Sequence, residues 1–204
     1  MRVYLAGPDV FLPNPAARAA ALKEICARHG LHGVFPLDAH AHEPADWSDL
    51  TEARRIAIRN EAHMAGCAAL IANLTPFRSP SADVGTVFEV GYMRALGRPV
   101  FGWSNAAEPF AERTRAFLGV AGPHDAEGML IEAFGLIDNL MIDAAILASG
   151  GALFVQAVSE ACRWTDLAAF ERCVAATAQA LAYSPRGASG PSAAATPKGP
   201  GSAP

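Results

Sequence analysis

A single glutamate in an otherwise uncharged helical turn is where this sequence could do chemistry. Glu89 lies between Phe88 and Val90 in the segment D-V-G-T-V-F-E-V-G-Y, residues 83–92. Gly85 stands four residues before it, on the same helical face, and Gly91 two residues after. Glycine inside a helix costs on the order of 1 kcal/mol relative to alanine. Two of them suggest that something comes close to the backbone here. A carboxylate in an apolar, glycine-opened pocket is the environment a nucleophile or a general base needs. The same pattern also fits close helix–sheet packing with Glu89 reaching solvent.

The elements around Glu89 read as a strand–loop–helix unit. The apolar run A-A-L-I-A-N-L at residues 68–74 has the composition of a buried parallel strand. Residues 75–82 hold two prolines and two serines and read as loop. Asp83 is a good helix N-cap, and Val87, Val90 and Gly91 follow at core spacing. Upstream, residues 2–6 form a first strand, with Gly7 turning out of it. Asn14-Pro15 opens a helix that Gly30 ends. A second strand is expected at 33–37, a polar loop or lid at 40–49 and a helix at 51–65. A fourth strand is expected at 99–103 and a short helix at 108–117.

The fifth strand is expected within 134–142, followed by helices at 151–164 and 166–183. Strands alternating with helices imply right-handed crossovers and a parallel sheet. The predicted fold is therefore α/β: a flavodoxin-like, doubly wound, five-stranded parallel sheet in the order 2-1-3-4-5, with helices on both faces. Residues 1–183 form one domain. Residues 184–204, Ser, Pro, Gly and Ala with two basic residues, cannot build a core and are expected to be disordered.

This architecture places a site on its own. Ligands of open α/β sheets bind beyond the carboxyl ends of the strands, where the winding reverses. With strand one beside strand three, the loops at 7–13 and 75–83 meet there, next to Glu89. Gly7, Asp9 and Phe11 belong to the first loop. Asp9 fits either a turn cap or a ligand contact, and Phe11 could cover a flat ring. Asp38, after the second strand, is a further candidate. Tyr4 alternates with Val3 and Leu5 in the first strand and on its own reads as a core aromatic with a locally bonded hydroxyl. Asn60 falls in register with Ile56 and Met64, so its amide shares their apolar face and needs partners.

The segment D-V-G-T-V-F-E-V-G-Y, preceded by I-A-N-L-T-P-F-R, resembles the core of the nucleoside 2-deoxyribosyltransferase family. The N-terminal V-Y-L-A-G-P-D-V-F and the later G-L-I-D-N-L-M-I are also similar to family segments, in the expected order from residue 2 to about 142. The resemblance implies that Glu89 is the catalytic nucleophile, that the Tyr4 hydroxyl bonds and orients its carboxylate, and that Asp83 lies close to the base. It implies ligand contacts from the loop of Gly7, Asp9 and Phe11, while Asp38 after the second strand and Gly85 beside Glu89 are substrate-contact candidates by position. Asn60 falls near a position that usually carries an aspartate meeting sugar and base; an amide cannot act as a general acid, so no proton delivery is expected from this residue. Asn139, with Met141 just beyond it, matches an asparagine that enters the neighbouring subunit's pocket. The implied partners are thus a deoxynucleoside, a free nucleobase and further copies of the chain in a homo-oligomer with a shared active site. No cofactor is implied.

The implied reaction moves a 2-deoxyribosyl group between nucleobases through a covalent glycosyl-enzyme. The alternative is an N-glycosidase hydrolysing deoxynucleosides or deoxynucleoside 5'-monophosphates at the same site; Arg78, Ser79 and Ser81 could then take a phosphate. From another class, a flavin-binding module is conceivable, although the loop G-P-D-V-F-L-P-N-P lacks a hydroxyl-rich phosphate cradle.

Composition narrows the remaining classes. The chain has 204 residues, 51% hydrophobic and 18% charged, with net charge −4. Without a Lys/Arg run, neither nucleic acid nor a membrane surface is an expected partner. No stretch reads as a signal peptide or a membrane span. Cys26, Cys67, Cys162 and Cys173 show no C-x-x-C spacing and read as buried thiols of a reducing compartment, so a cytoplasmic location is expected. His40, His42 and Glu43, and His29 with His32, lack an acidic or cysteine partner to complete a metal site. Neither a P-loop nor a G-x-G-x-x-G is present.

Overall fold

The computed structural model describes residues 1–39, 47 and 49–183. The loop or lid expected at 40–49 lies mostly outside them, as do His40, His42 and Glu43, and the tail expected to be disordered at 184–204 lies wholly outside. Five parallel strands form one sheet in the order β2-β1-β3-β4-β5. They are β1 (Arg2–Ala6), β2 (His32–Val34), β3 (Ala69–Asn73), β4 (Val100–Ser104) and β5 (Leu153–Val155). The helices are α1 (Pro15–Arg28), α2 (Glu52–Ala65), α3 (Val84–Ala95), α4 (Phe110–Leu118), α5 (Leu140–Ala148) and α6 (Ala168–Tyr183). Each central strand is buried on both faces, which is why β3 reads A-L-I-A-N without polar alternation.

Two cores sandwich the sheet. On one face α1 and α6 bury Leu22, Ile25, Phe170 and Val174 against Val3, Leu5, Ile71 and Trp103. On the other, α2, α3 and α5 bury Met64, Val90, Ile142 and Ile146 against Tyr4, Leu70 and Val100. Tyr4 pairs in register with Leu70 of β3, so its ring points to the α2–α3 side. Asn14 caps α1 by accepting from the Ala17 amide, and Thr51 caps α2 through the Arg54 amide.

The structure corrects the sequence reading in the last third of the chain. Residues 134–142 hold no strand: Asn139 is an N-cap and α5 begins at Leu140. A short apolar run cannot be told from a buried helix by periodicity alone, and here the cap decides. The fifth strand is Leu153–Val155, after a turn at Gly150 with φ 82°. It falls inside the stretch expected to be a helix at 151–164, whose only helical piece is a 3-10 turn at Glu160–Cys162.

Faces are also corrected. In α3 the buried residues are Thr86, Glu89, Val90 and Met93, while Val87 is half-buried and Gly91 exposed. In α2 Met64 is buried and Asn60 half-buried, but Ile56 is exposed. Cys26, Cys67 and Cys173 are buried free thiols, and Cys162 is exposed. No described helix is long and apolar enough to cross a membrane.

Candidate active site

Helix α3 brings Glu89 against the first strand. The carboxylate is 9% exposed, and its Oε1 accepts a 2.7 Å hydrogen bond from the hydroxyl of Tyr4, itself fully buried. Burial pushes the Glu89 carboxyl up to about 7; the Tyr4 bond opposes this and the nearby charge of Asp83 adds to it. Burial, with the Glu89 charge and bond behind it, drives the Tyr4 hydroxyl far above its ordinary range, so it remains a donor. Among the described residues Oε2 of Glu89 takes no hydrogen bond. The pair is a held carboxylate with one committed oxygen and one free.

Asp83 caps α3, its Oδ2 accepting from the Thr86 amide at 3.0 Å and the Thr86 hydroxyl at 3.1 Å. A Cβ on Gly85 would come within 3.1 Å of that same oxygen. The glycine thus keeps the space beside the cap open, one turn before Glu89. Phe88, 60% exposed, lies 6.2 Å from the Tyr92 ring on the outward side of the helix.

The loop after β1 is fastened from beneath. Asp9 is buried, accepting from Arg18 Nε at 2.7 Å and Asn73 Nδ2 at 2.8 Å. Both its oxygens are engaged inside the protein, which accounts for its burial without a ligand. A Cβ on Gly7 would lie 2.7 Å from the Cβ of Asn73, so only glycine lets this loop pass over β3. Asn73 in turn accepts from the Thr75 amide, and Thr75 from the Asn105 amide. One polar chain therefore joins the ends of β1, β3 and β4 below the switch point. Neither Arg18 nor Asn105 was foreseen in it; the asparagine ending an apolar strand was the readable signal.

Above that chain, Phe11 stacks on Phe77 with centroids 5.3 Å apart and planes 9° from parallel. The Arg78 guanidinium covers both rings, at 5.2 and 4.5 Å. Arg78 is the one described non-glycine residue with positive φ, 57°.

The other candidates scatter. Asp38 closes its own turn through the Phe35 amide and pairs with Lys23. Among the described residues the buried Oδ1 of Asn60 has no hydrogen-bond partner, and buried polar groups are as a rule bonded. Asn139 lies on the other side of α3. It accepts from the Met141 amide at 3.0 Å and donates to Glu132 at 2.8 Å. There, Val84, Val87, Gly91, Ala95, Met141 and Ala145 line an apolar groove of about 580 Å³ between α3 and α5. Val87 and Gly91 project roughly opposite Glu89 at 3.6 residues per turn. Met141, 61% exposed, lies on its rim. Among the described residues no three His, Cys, Asp or Glu side chains gather in a way that could hold a metal ion.

Known proteins resemble this chain in sequence and fold. The sequence model of the nucleoside 2-deoxyribosyltransferase family matches residues 3–141. An uncharacterized protein of Schizosaccharomyces pombe is 33% identical over 186 residues, covering 82% of this chain and 88% of the relative. A 2-desoxiribosyltransferase from Leishmania mexicana superposes with a TM-score of 0.55 at 33% identity, over 69% of this chain and 84% of that one. A conserved protein from Enterococcus faecalis shares the fold at 19% identity, TM-score 0.51, over 85% and 96% of the two chains. Family and fold together indicate a glycosyl-transferring enzyme. The chain belongs to the nucleoside 2-deoxyribosyltransferase family.

Proposed function

We propose that this enzyme transfers the 2-deoxyribosyl group of a 2'-deoxynucleoside from one nucleobase to another, with Glu89 as the nucleophile. The observation that carries this reading is the Tyr4–Glu89 pair: a buried carboxylate, aligned by a hydroxyl at 2.7 Å, with its second oxygen unbonded among the described residues. In the first half-reaction Oε2 attacks C1' as the C1'–N bond breaks. The bonding pair leaves with the base, which takes up a proton. The covalent deoxyribosyl-enzyme then gives its sugar to a nitrogen of a second base, which loses a proton, with net retention at C1'. No further group is called for, because the carboxylate does the covalent work.

Tyr4 holds the carboxylate and lowers its proton affinity, which burial alone would raise further. Asp83 and Asn60 are the polar groups assigned to the base and sugar, Asn60 through an Oδ1 that has no partner among the described residues. Phe11 on Phe77 forms an apolar cover that keeps water from the glycosyl-enzyme. Asp9 and Gly7 act by holding that cover in place, and Asp38 by shaping the loop after β2.

The shared site is part of the proposal. The groove between α3 and α5 offers an apolar face for a second copy, with Asn139 and Met141 on its lining. To reach a neighbour's sugar, the Asn139 amide exchanges Glu132 for a hydroxyl. Incubating the protein with a deoxynucleoside, with and without a different free base, tests the reading. Exchanged nucleoside on chromatography supports transfer. Free base formed at the same rate in both arms identifies hydrolysis, and neither product refutes both.

A further inference from the structure

The loops flanking Asp83 and Asn139 meet at one buried acid that neither role requires. Asp138 is fully buried. It accepts from the Ser81 hydroxyl, from the Ala82 amide at 2.8 Å and from the Asn139 amide at 2.8 Å. Ala82 immediately precedes Asp83, and Asn139 caps α5. Behind the carboxylate stands Arg113, its side chain 9% exposed and its Nη2 3.9 Å from Asp138 Oδ2. That guanidinium donates to three carbonyls from three segments: Pro80 at 2.9 Å, Ile137 at 2.6 Å, and Glu108. The backbone amide of Asp138 donates to Asp143.

We infer that Asp138, braced by Arg113, is a positioning residue that sets the start of the Glu89 helix and the Asn139 turn together. Both are tied to the two oxygens of one carboxylate, so neither loop shifts without the other. A buried carboxylate accepting several hydrogen bonds beside a buried guanidinium is a rigid junction, since removing any partner leaves a desolvated group unpaired. Arg113 cannot be replaced by lysine at this junction, because only a planar fork reaches three carbonyls at once. The inference rests on the assignment of Glu89 and Asp83 to the site.

The test uses Asp138→Asn, which preserves shape but turns a donor toward one of the amides, and Ser81→Ala, which removes one contact and leaves the acid. Two readouts are taken on each: kcat and KM for the donor, and the titration midpoint of the Glu89 carboxyl, followed by NMR on isotope-labelled protein. If Asp138 positions the site, Asp138→Asn lowers kcat/KM about tenfold or more. It also moves the Glu89 midpoint down by roughly half a pH unit or more as Asp83 drifts from it. Ser81→Ala does the same in smaller measure and covers the case in which Asp138→Asn does not fold. A junction that only stabilises the fold would lower the melting temperature and leave the midpoint and kcat/KM where they were; that result in both folded variants, or in Ser81→Ala alone if only it folds, overturns the inference. The titration needs no turnover, so an inactive wild type would refute the proposed reaction and still leave this coupling decided.

Discussion

Helix α3 has two faces that a search for a site could choose between, and they differ in kind. One carries Glu89, barely exposed, bonded to a fully buried tyrosine and lifted toward neutrality by its surroundings. The other carries Val84, Val87, Gly91 and Ala95 along an apolar groove, in which Arg94 is the one charged side chain among the described residues. The second face offers a groove of about 580 Å³, the first the chemistry. A groove whose polar lining is Arg94, Asn139 and two serines, with no carboxylate, suits an apolar surface better than a bond exchange. The proposed reaction lies on one side of this twelve-residue helix and the proposed association on the other.

The largest effect that separates the faces is expected from Glu89→Ala. It should fold and lose activity by on the order of 10³-fold or more, as measured by chromatographic exchange assay. Near-normal turnover would remove the reaction from this face. Next, the proposed sharing of the site would make the faces interdependent: Glu89→Ala and Asn139→Ala, each nearly inactive, should recover activity when unfolded together and refolded as mixed dimers. Random pairing gives about a quarter of wild-type activity. No recovery despite subunit exchange seen by mass would confine Asn139 to its own chain.

Tyr4→Phe sharpens the first face alone. The bond lowers the Glu89 carboxyl, so its loss should raise it further and move the acid limb of kcat/KM from near pH 7 to higher pH. A drop of about 10- to 100-fold should accompany it, the scale of one hydrogen bond to a charged group. A limb that stays in place would show that Tyr4 does not touch the ionising group.

Stability offers a smaller signal with a definite sign. Unfolded Glu89 releases its proton near its ordinary value of 4.5, while the folded protein keeps it to about 7. Between those values the folded state binds more protons, so stability falls as pH rises and stays reduced above 7. The expected loss is on the order of 3 kcal/mol at most. Denaturant melts of Glu89→Gln should be flatter over the same range, and an identical slope in both proteins would contradict the burial argument. On the second face, Gly91→Arg should leave the monomer folded, since nothing lies within 4 Å of a Cβ there. It should also abolish the proposed oligomer on sedimentation, and an assembly unchanged from wild type would free the groove for another role.

How much of this could be read beforehand follows from where the determinants sit. The sheet order, the Asp83 cap and the location of Glu89 were legible because each rests on local signals: an apolar run, a cap, a glycine out of place. The Tyr4–Glu89 contact came from the family resemblance, since strand alternation alone made Tyr4 an ordinary core aromatic. Asp9 was not legible. Its carboxylate is committed to Arg18 and Asn73, sixty-four positions away in the case of Asn73, and no local pattern announces such a partner. Residues 134–155 failed for the converse reason, because helix α5 is apolar enough to pass for a strand and β5 has only three residues. The Asp138–Arg113 junction was likewise invisible, being made of contacts between segments with no shared spacing.

The central claim is that Glu89 forms a bond to the sugar. Wild-type protein is mixed with a donor deoxynucleoside and no acceptor base, quenched in acid, and its intact mass measured, followed by mapping of the peptide spanning α3. The account predicts a mass increase of one deoxyribosyl group, located on Glu89 and absent from Glu89→Ala. Product formation with no adduct at any time in a rapid-quench series, or an adduct that persists in Glu89→Ala, would contradict it.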